Sequence, residues 1–227
     1  MDAVQFSSMR TSLDLYLIAT QKNRYILFSP PDLVEEFEKE AEKRVVRAIA
    51  WFRDHRSRIL AWLGRVLEKV HEYYRKLEDR IDPGERILKA MSAAPQFVVH
   101  HGHRTSADEA KKHFQKLLKR QRLKHSVWLA IDLVVTSVAI VFTPVLAPIP
   151  GPNVFFYLPL LRLLSHYGAW KGIRAGLHSR EIDFKCLPDL TSLEENLRMP
   201  SVDRNALRTM AEGLKIRGLK QFLERKV

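Results

Sequence analysis

Hydrophobic and polar residues alternate with two different periods along this chain, and each period predicts a different kind of element. Two short β-prone runs, residues 13–20 and 24–29, flank Gln21-Lys22-Asn23, which predicts a strand, a tight turn and a second strand. From Asp32 to Leu77, apolar residues recur every three or four positions, which predicts one long amphipathic helix, or two helices that break near residues 54–57. Further helices are predicted at residues 85–92, from Ser106 onward, and after Ser201.

Two strongly apolar spans follow the helix that starts at Ser106. Residues 126–149 contain a single charge, Asp132, and a second apolar span runs from Val154 to about Gly172. A helix of about 20 apolar residues can cross a hydrocarbon core of about 30 Å. The residues between the two spans have turn chemistry: Pro150, Gly151, Pro152 and Asn153. The pattern therefore predicts a transmembrane helical hairpin with a membrane turn at residues 150–153.

The charge around these spans favours the same interpretation. Between positions 111 and 124 the chain has seven basic residues and no acid, basic residues follow the second span, and the turn carries no charge. Because Lys and Arg favour the cytoplasmic side, both termini are expected to face the cytoplasm or the matrix. The basic residues before the first span are also expected to contact anionic lipid. They are Lys111, Lys112, Lys116, Lys119, Arg120, Arg122 and Lys124.

The formal net charge of +12 raises nucleic acid as another partner. Phe114 is the only Phe, Tyr or Trp in the basic run, which is too little for stacking on unpaired bases. Nucleic-acid binding is therefore not expected, because proximity to lipid already explains the basic residues.

Together these patterns predict a mainly α fold with an N-terminal two-stranded β-hairpin, long amphipathic helices and a two-helix transmembrane hairpin. The expected domains are a β-hairpin at 1–31, a cytosolic helical region at 32–125, the transmembrane hairpin at 126–175 and a C-terminal cytosolic helical tail at 176–227. A water-soluble fold that buries the hairpin internally is the alternative.

Ionisable residues within the apolar spans are the candidate functional residues. At about 1.5 Å of rise per residue, Asp132 and His166 lie at similar distances from the turn, and Arg162 lies one helical turn from His166. Asp132 beside His166 would form a proton-responsive pair in which the carboxylate raises the pKa of the imidazole. Thr136 and Ser165 add neutral oxygens to this set of ion-pathway candidates. Structural pairing of the same charges is the other interpretation.

Other chemistry finds little support in the sequence. The single cysteine, Cys186, cannot form an internal disulfide. His100, His101 and His103 invite a metal site, but a solvated loop is the preferred interpretation, and no metal or other cofactor is expected. No phosphate-binding loop, dinucleotide-binding, zinc-protease or serine-hydrolase motif occurs, so an enzyme is not expected.

The stretch PIPGPNVFFYLPLLRLLSHYGAWKG at residues 148–172 resembles the core of the mitochondrial potassium/proton exchange-related family. The matching positions are Pro150, Asn153, Phe155, Tyr157, Arg162, His166 and Tyr167. The resemblance implies an integral inner-membrane protein associated with potassium/proton exchange, as an exchanger component or accessory subunit. It places the chain in a bacterial cytoplasmic membrane, or in the mitochondrial inner membrane of a eukaryote.

Two membrane helices are few for a transporter, so a homo-oligomer or a larger membrane protein is expected as partner, together with the lipid bilayer. The alternative function is a membrane-anchored scaffold without transport activity, in which the cytosolic helices recruit a partner.

Overall fold

The computed structural model describes most of residues 12–226. Residues 1–11, 22–23, 59, 62–63, 66, 70–71, 73–81, 147–152, 179–180, 200 and 227 lie outside the description. The described elements, in chain order, are strands β1 (Ser12–Ala19) and β2 (Tyr25–Phe28), helices α1 (Pro31–Arg53) and α2 (Pro83–Ala90), strand β3 (Gln96–His101), helices α3 (Ala107–Leu146) and α4 (Asn153–His178), strand β4 (Ile182–Cys186), and helices α5 (Leu190–Arg198), α6 (Arg204–Gly213) and α7 (Leu219–Lys226).

The chain divides into two compact units that interleave in sequence. Unit 1 comprises residues 1–33, 94–111 and 179–227, and unit 2 comprises residues 34–93 and 112–178.

Unit 1 is built on a four-stranded mixed sheet with the order β2-β1-β3-β4. Strands β1 and β2 pair antiparallel, whereas β3 runs parallel to β1 and β4 runs parallel to β3. Leu13, Leu15 and Leu17 occupy alternate positions of β1 and therefore lie on the same face of the sheet, because successive side chains of a strand point to opposite faces. All three are fully buried. The sheet therefore joins segments that are more than 160 residues apart in sequence into one layer.

The three C-terminal helices of unit 1 pack on one end of this sheet. Ile18 and Phe28 contribute to a buried cluster with leucines of α5, α6 and α7, namely Leu190, Leu193, Leu197, Leu207, Leu219 and Leu223. The side chain of Asp203 caps α6 by accepting from two backbone N–H groups. Gly218 precedes α7 with φ +79°, and a Cβ there would lie 2.7 Å from the Pro31 ring, so a glycine is required.

Unit 2 holds α2 against α4 along a stripe of glycines. A Cβ at Gly172 would lie 1.6 Å from the carbonyl oxygen of Leu88, and one at Gly176 would lie 2.5 Å from Met91. Gly168, four residues before Gly172, faces Lys89 on the same stripe. Two helix backbones can approach this closely only where side chains are absent, so the glycine spacing fixes α2 on α4.

Several sequence predictions are confirmed. The β-hairpin is present as β1 and β2, although Lys22 and Asn23 of its turn lie outside the described residues. Helix α1 ends at Arg53, where the break was expected. At the start of α3, Ser106 and Glu109 form the capping box: the Glu109 carboxylate accepts from the Ser106 N–H at 3.0 Å, and the Ser106 Oγ accepts from the Glu109 N–H at 3.3 Å.

The predicted transmembrane helical hairpin is wrong. Among the helices of the described residues, none combines the length and apolar character needed to cross a membrane. Helix α3 carries Asp132, Thr136 and Ser137 in its apolar half, and α4 carries Arg162, Ser165 and His166. The expected membrane turn at Pro150, Gly151 and Pro152 falls outside the description, and Asn153 is the first residue of α4.

The predicted fold class also lacked two strands. Residues 96–101 form β3, so His100 and His101 belong to a sheet rather than to a solvated loop, and His101 is buried. Strand β4 was expected to be part of a helical tail. The sequence QFVVHH ends in two polar residues before Gly102, which concealed a short strand that pairs on both sides.

Candidate functional site

The candidate site is a cluster of ionisable side chains where α2, α3 and α4 of unit 2 meet. Helix α3 contributes His125, Asp132 and Thr136, which lie at steps of seven and four residues and therefore share one face. All three are at most 4% exposed. Helix α4 contributes Arg162, Ser165 and His166, and α2 contributes Glu85 and Lys89.

Two histidines and a carboxylate form the centre of this cluster. The Nδ1 atoms of His125 and His166 lie 3.1 Å apart, and the Nε2 atom of His166 lies 3.6 Å from Oδ2 of Asp132. A carboxylate only accepts hydrogen bonds, so the neutral His166 is expected to carry its hydrogen on Nε2. Nδ1 of His166 then accepts from the Nδ1–H of His125. The two imidazoles thus form a donor–acceptor pair, and the 3.6 Å contact of His166 with Asp132 is electrostatic and longer than a hydrogen bond.

Arg162 closes the solvent side of the cluster. Its Nε atom lies 3.6 Å from Oδ1 of Asp132, and its guanidinium lies 5.1 Å from the centre of the Trp128 ring. The Arg162 side chain is 56% exposed, whereas Asp132 is buried, so the fixed positive charge sits between water and the carboxylate. This arrangement provides a partner for a carboxylate that would otherwise be costly to bury.

Helix α2 brings a second carboxylate, Glu85, close enough to act electrostatically on both histidines. Glu85 accepts a hydrogen bond from the Ser165 hydroxyl and lies 3.6 Å from the Lys89 ammonium. The negative charge of Glu85 is the strongest electrostatic influence that favours protonation of both His125 and His166. Because α2 rests on the glycine stripe of α4, the packing of unit 2 determines where this charge lies.

Burial dominates the protonation of the two histidines. It lowers the pKa of His125 to about 4, against the opposing attraction of Glu85. Burial also lowers the pKa of His166, although Glu85 and Asp132 both act to raise it. The sequence prediction that Asp132 acts to raise the pKa of His166 is confirmed as one influence, and burial outweighs it. The pair is neutral at pH 7 and gains a proton only at lower pH.

The arrangement can share a proton between the two imidazoles, because their Nδ1 atoms lie within hydrogen-bond distance, and the charge of Asp132 favours protonation of His166. Oδ2 of Asp132 and the Thr136 hydroxyl oxygen have no hydrogen-bond partner among the described residues. Buried side-chain oxygens without a hydrogen-bond partner are uncommon in folded proteins and require an explanation.

The structure brings together three of the ion-pathway candidates: Asp132, Arg162 and His166. Thr136 lies one turn beyond Asp132 on the same helix, and Ser165 is engaged by Glu85 instead. Whether these residues conduct an ion stays a prediction. The seven basic residues from Lys111 to Lys124 are all exposed on the first half of α3. Among the described residues, the cluster included, no three His, Cys, Asp or Glu side chains gather closely enough to hold a metal ion.

Sequence reasoning missed three members of the cluster, His125, Glu85 and Lys89. His125 lies seven residues before Asp132, so a helical-face comparison would have found it. Glu85 has no such local signal, because it reaches the histidines only through the packing of α2 on α4.

Fold and cluster together define an α+β protein that keeps a histidine pair together with two carboxylates at a junction of helices. Residues 15–177 match the family described as mitochondrial K+-H+ exchange-related. The match covers more than half of the chain, and the chain belongs to this family. No curated protein and no solved structure match the chain.

Proposed function

We propose that this chain is a non-enzymatic accessory component of potassium/proton exchange, and that the cluster of His125, His166 and Asp132 is the part that responds to protons. The family relates the chain to K+-H+ exchange and suggests a mitochondrial association. The single observation that carries the proposal is the buried chain of contacts from His125 through His166 to Asp132.

An accessory role fits the cluster better than the exchange itself. Glu85 and Lys89 balance each other's charge, as do Asp132 and Arg162, so the neutral histidine pair leaves the cluster without net charge. A proton taken up by the pair adds a positive charge to a buried junction of three helices. Such a charge changes the relative free energies of helix arrangements, which is how histidine pairs act as pH sensors.

The basic run of α3 supplies a place for this component to meet a membrane surface. All seven Lys and Arg residues between positions 111 and 124 are exposed. Each cation near an anionic surface contributes about 1 kcal/mol of attraction at physiological salt. The proposed location is therefore one face of an anionic membrane, such as a mitochondrial inner or bacterial cytoplasmic membrane, beside a larger membrane protein that performs the exchange.

The membrane contact is tested by flotation with vesicles that contain or lack anionic lipid. Binding should require anionic lipid and weaken as salt is raised. Substitution of Lys116, Lys119 and Arg120 by Glu should abolish flotation, and Arg217→Glu, at an exposed cation of unit 1, should leave it unchanged. If the triple variant floated as well as the wild type, the basic run would not be the membrane contact.

The exchange role is tested by potassium-dependent proton flux in membrane vesicles from source cells that express or lack the chain. Loss of the chain should reduce flux, the wild-type chain should restore it, and Asp132→Asn should restore it poorly. His103→Gln, at an exposed loop histidine, is the matched control and should restore it fully. Flux that does not depend on the chain contradicts the proposal. Flux from the purified chain alone in lipid vesicles also contradicts it, because an accessory component cannot exchange ions by itself.

A scaffold without any proton response is the second candidate. It is favoured by α1, whose charged helix leaves Val45, Val46 and Trp51 exposed as a surface for a partner. A scaffold predicts that flux falls when the chain is absent but is restored fully by Asp132→Asn. Trp51→Ala would then be the damaging substitution.

A further inference from the structure

A buried carboxyl group lies where two parallel strands of unit 1 end. Strands β1 and β3 run parallel, so their carboxyl ends, at Ala19 and His101, lie at the same edge of the sheet. Helix α5 places Glu194 at this edge, where its Oε1 atom accepts a hydrogen bond from the Ala19 N–H at 3.0 Å. Glu194 is 2% exposed, so a negative charge on it would be almost completely removed from water.

The second carboxyl oxygen of Glu194 faces a glycine. A Cβ at Gly102 would lie 2.4 Å from Oε2 of Glu194, so only glycine leaves room for the carboxyl group in this position. Oε2 has no hydrogen-bond partner among the described residues. An ionised carboxylate that is buried with a single hydrogen bond is unfavourable, whereas a neutral carboxyl group costs much less to bury.

His101 supplies an acceptor that suits a protonated Glu194. The Nδ1 atom of His101 lies 3.0 Å from the Gly102 carbonyl oxygen, and a carbonyl only accepts, so the hydrogen of the neutral ring is assigned to Nδ1. Nε2 of His101 is then a buried acceptor, and it too lacks a partner within the part of the chain that the structure describes. A protonated carboxyl group beside the same glycine offers a donor, and a carboxylate offers none.

Burial decides the protonation of Glu194 against the charges around it. It raises the pKa of the Glu194 carboxyl group above its ordinary value. The opposing influences are the hydrogen bond from Ala19, Arg198 on α5, His101 at the end of β3 and Arg104 in the loop that follows β3. The removal of the carboxylate from water therefore outweighs the nearby positive charges.

We propose that Glu194 is a proton-binding site that controls the docking of α5: its protonated carboxyl group holds α5 on the carboxyl ends of β1 and β3, and its ionisation releases α5. Thr191 of α5 belongs to the same contact, because its Oγ1 atom accepts a hydrogen bond from the His103 N–H at 3.0 Å. Release lets the ionised side chain of Glu194 reach water and recover its hydration. The inference does not rest on the proposed function, because it concerns unit 1 and holds for a chain with no part in ion exchange.

Nuclear magnetic resonance of the chain labelled at its glutamate carboxyl carbons measures the protonation of Glu194 directly. The Glu194 signal is assigned by its absence from Glu194→Gln. It should titrate above pH 4.5, the ordinary value for this side chain. Titration of the Glu194 carboxyl group at or below pH 4.5 would overturn the proposal.

Hydrogen exchange of the Ala19 and His103 amides measures the docking of α5. From pH 4.5 up to the pKa of the docked Glu194, the opening equilibrium at these amides should rise by up to about tenfold per pH unit, because only the released carboxyl group ionises freely. After correction for intrinsic exchange, this rise should be absent in Glu194→Gln, whose amide still accepts from Ala19. Glu195→Gln, at the next residue of α5, should behave as the wild type. A wild type in which the protection of both amides is independent of pH would contradict control of α5 by Glu194.

Discussion

Substitution of Gly172 by Ala tests whether the glycine stripe positions α2 and, through it, the candidate site. The added Cβ would lie 1.6 Å from the Leu88 carbonyl oxygen and 2.8 Å from the Leu88 carbonyl carbon. Carbon and oxygen atoms in contact normally lie at least about 3.3 Å apart, so α2 must move outward by roughly 1.7 Å. Backbone atoms cannot give way by a rotamer change, so the whole helix has to shift.

The expected loss of stability follows from two opposing contributions. Alanine is more favourable than glycine in a helix interior by about 1 kcal/mol. Overpacking of a close contact costs about 1–3 kcal/mol and sometimes more, and an outward shift of α2 also weakens the contact of Glu85 with Ser165. The free energy of unfolding of unit 2 should therefore fall by about 2 kcal/mol.

Urea unfolding followed by tryptophan fluorescence measures this effect, because all four tryptophans of the chain belong to unit 2. Gly213→Ala is the matched control, since a Cβ there meets nothing within 4 Å at the end of α6, and circular dichroism should show its stability unchanged or raised by up to about 1 kcal/mol. Equal stability of Gly172→Ala and wild type would refute the close packing of α2 on α4.

Three further predictions concern single groups. Because the pKa of His125 is about 4 in the fold and 6.5 in the unfolded chain, unit 2 should lose up to about 3 kcal/mol of stability as pH falls from 6.5 toward 4, and His125→Gln should flatten that slope in urea titrations at several pH values. Burial raises the pKa of Glu194, so stability should fall as pH rises above 4.5, and Glu194→Gln, which keeps an acceptor for the Ala19 N–H, should be at least as stable as wild type at pH 8 by thermal unfolding. Ser106→Ala should lower stability by about 1 kcal/mol in the same assay, because it removes one half of the capping box.

Local chemistry explains which elements were predictable. The β-hairpin, the end of α1 and the capping box at Ser106 depend on residues within a few positions of one another, and all three are present. Strands β3 and β4 could not be found in this way. They are stabilised by parallel pairing across long sequence separations, which a short run such as residues 182–186 does not signal.

The error about the membrane hairpin has a physical cause. Hydropathy averages all faces of a helix, whereas the apolar half of α3 has His125, Asp132 and Thr136 on one buried face, and the exposed apolar residues resembled a membrane span. The contact of Asp132 with His166 was anticipated from helical rise, because α3 ends and α4 begins near the same turn, whereas the contact of Asp132 with Arg162 was not. The pKa direction of His166 was not, since burial depends on packing that the sequence does not display.

The most direct test of the proton-responsive cluster is a nuclear magnetic resonance titration of ring-labelled histidines in the wild type and in Asp132→Asn. Signals are assigned with His125→Gln and His166→Gln. His125 and His166 should both titrate below pH 6.5 in the wild type, and loss of the Asp132 charge should lower the pKa of His166 further. Titration of both rings near pH 6.5 in the two proteins would contradict a buried, coupled cluster.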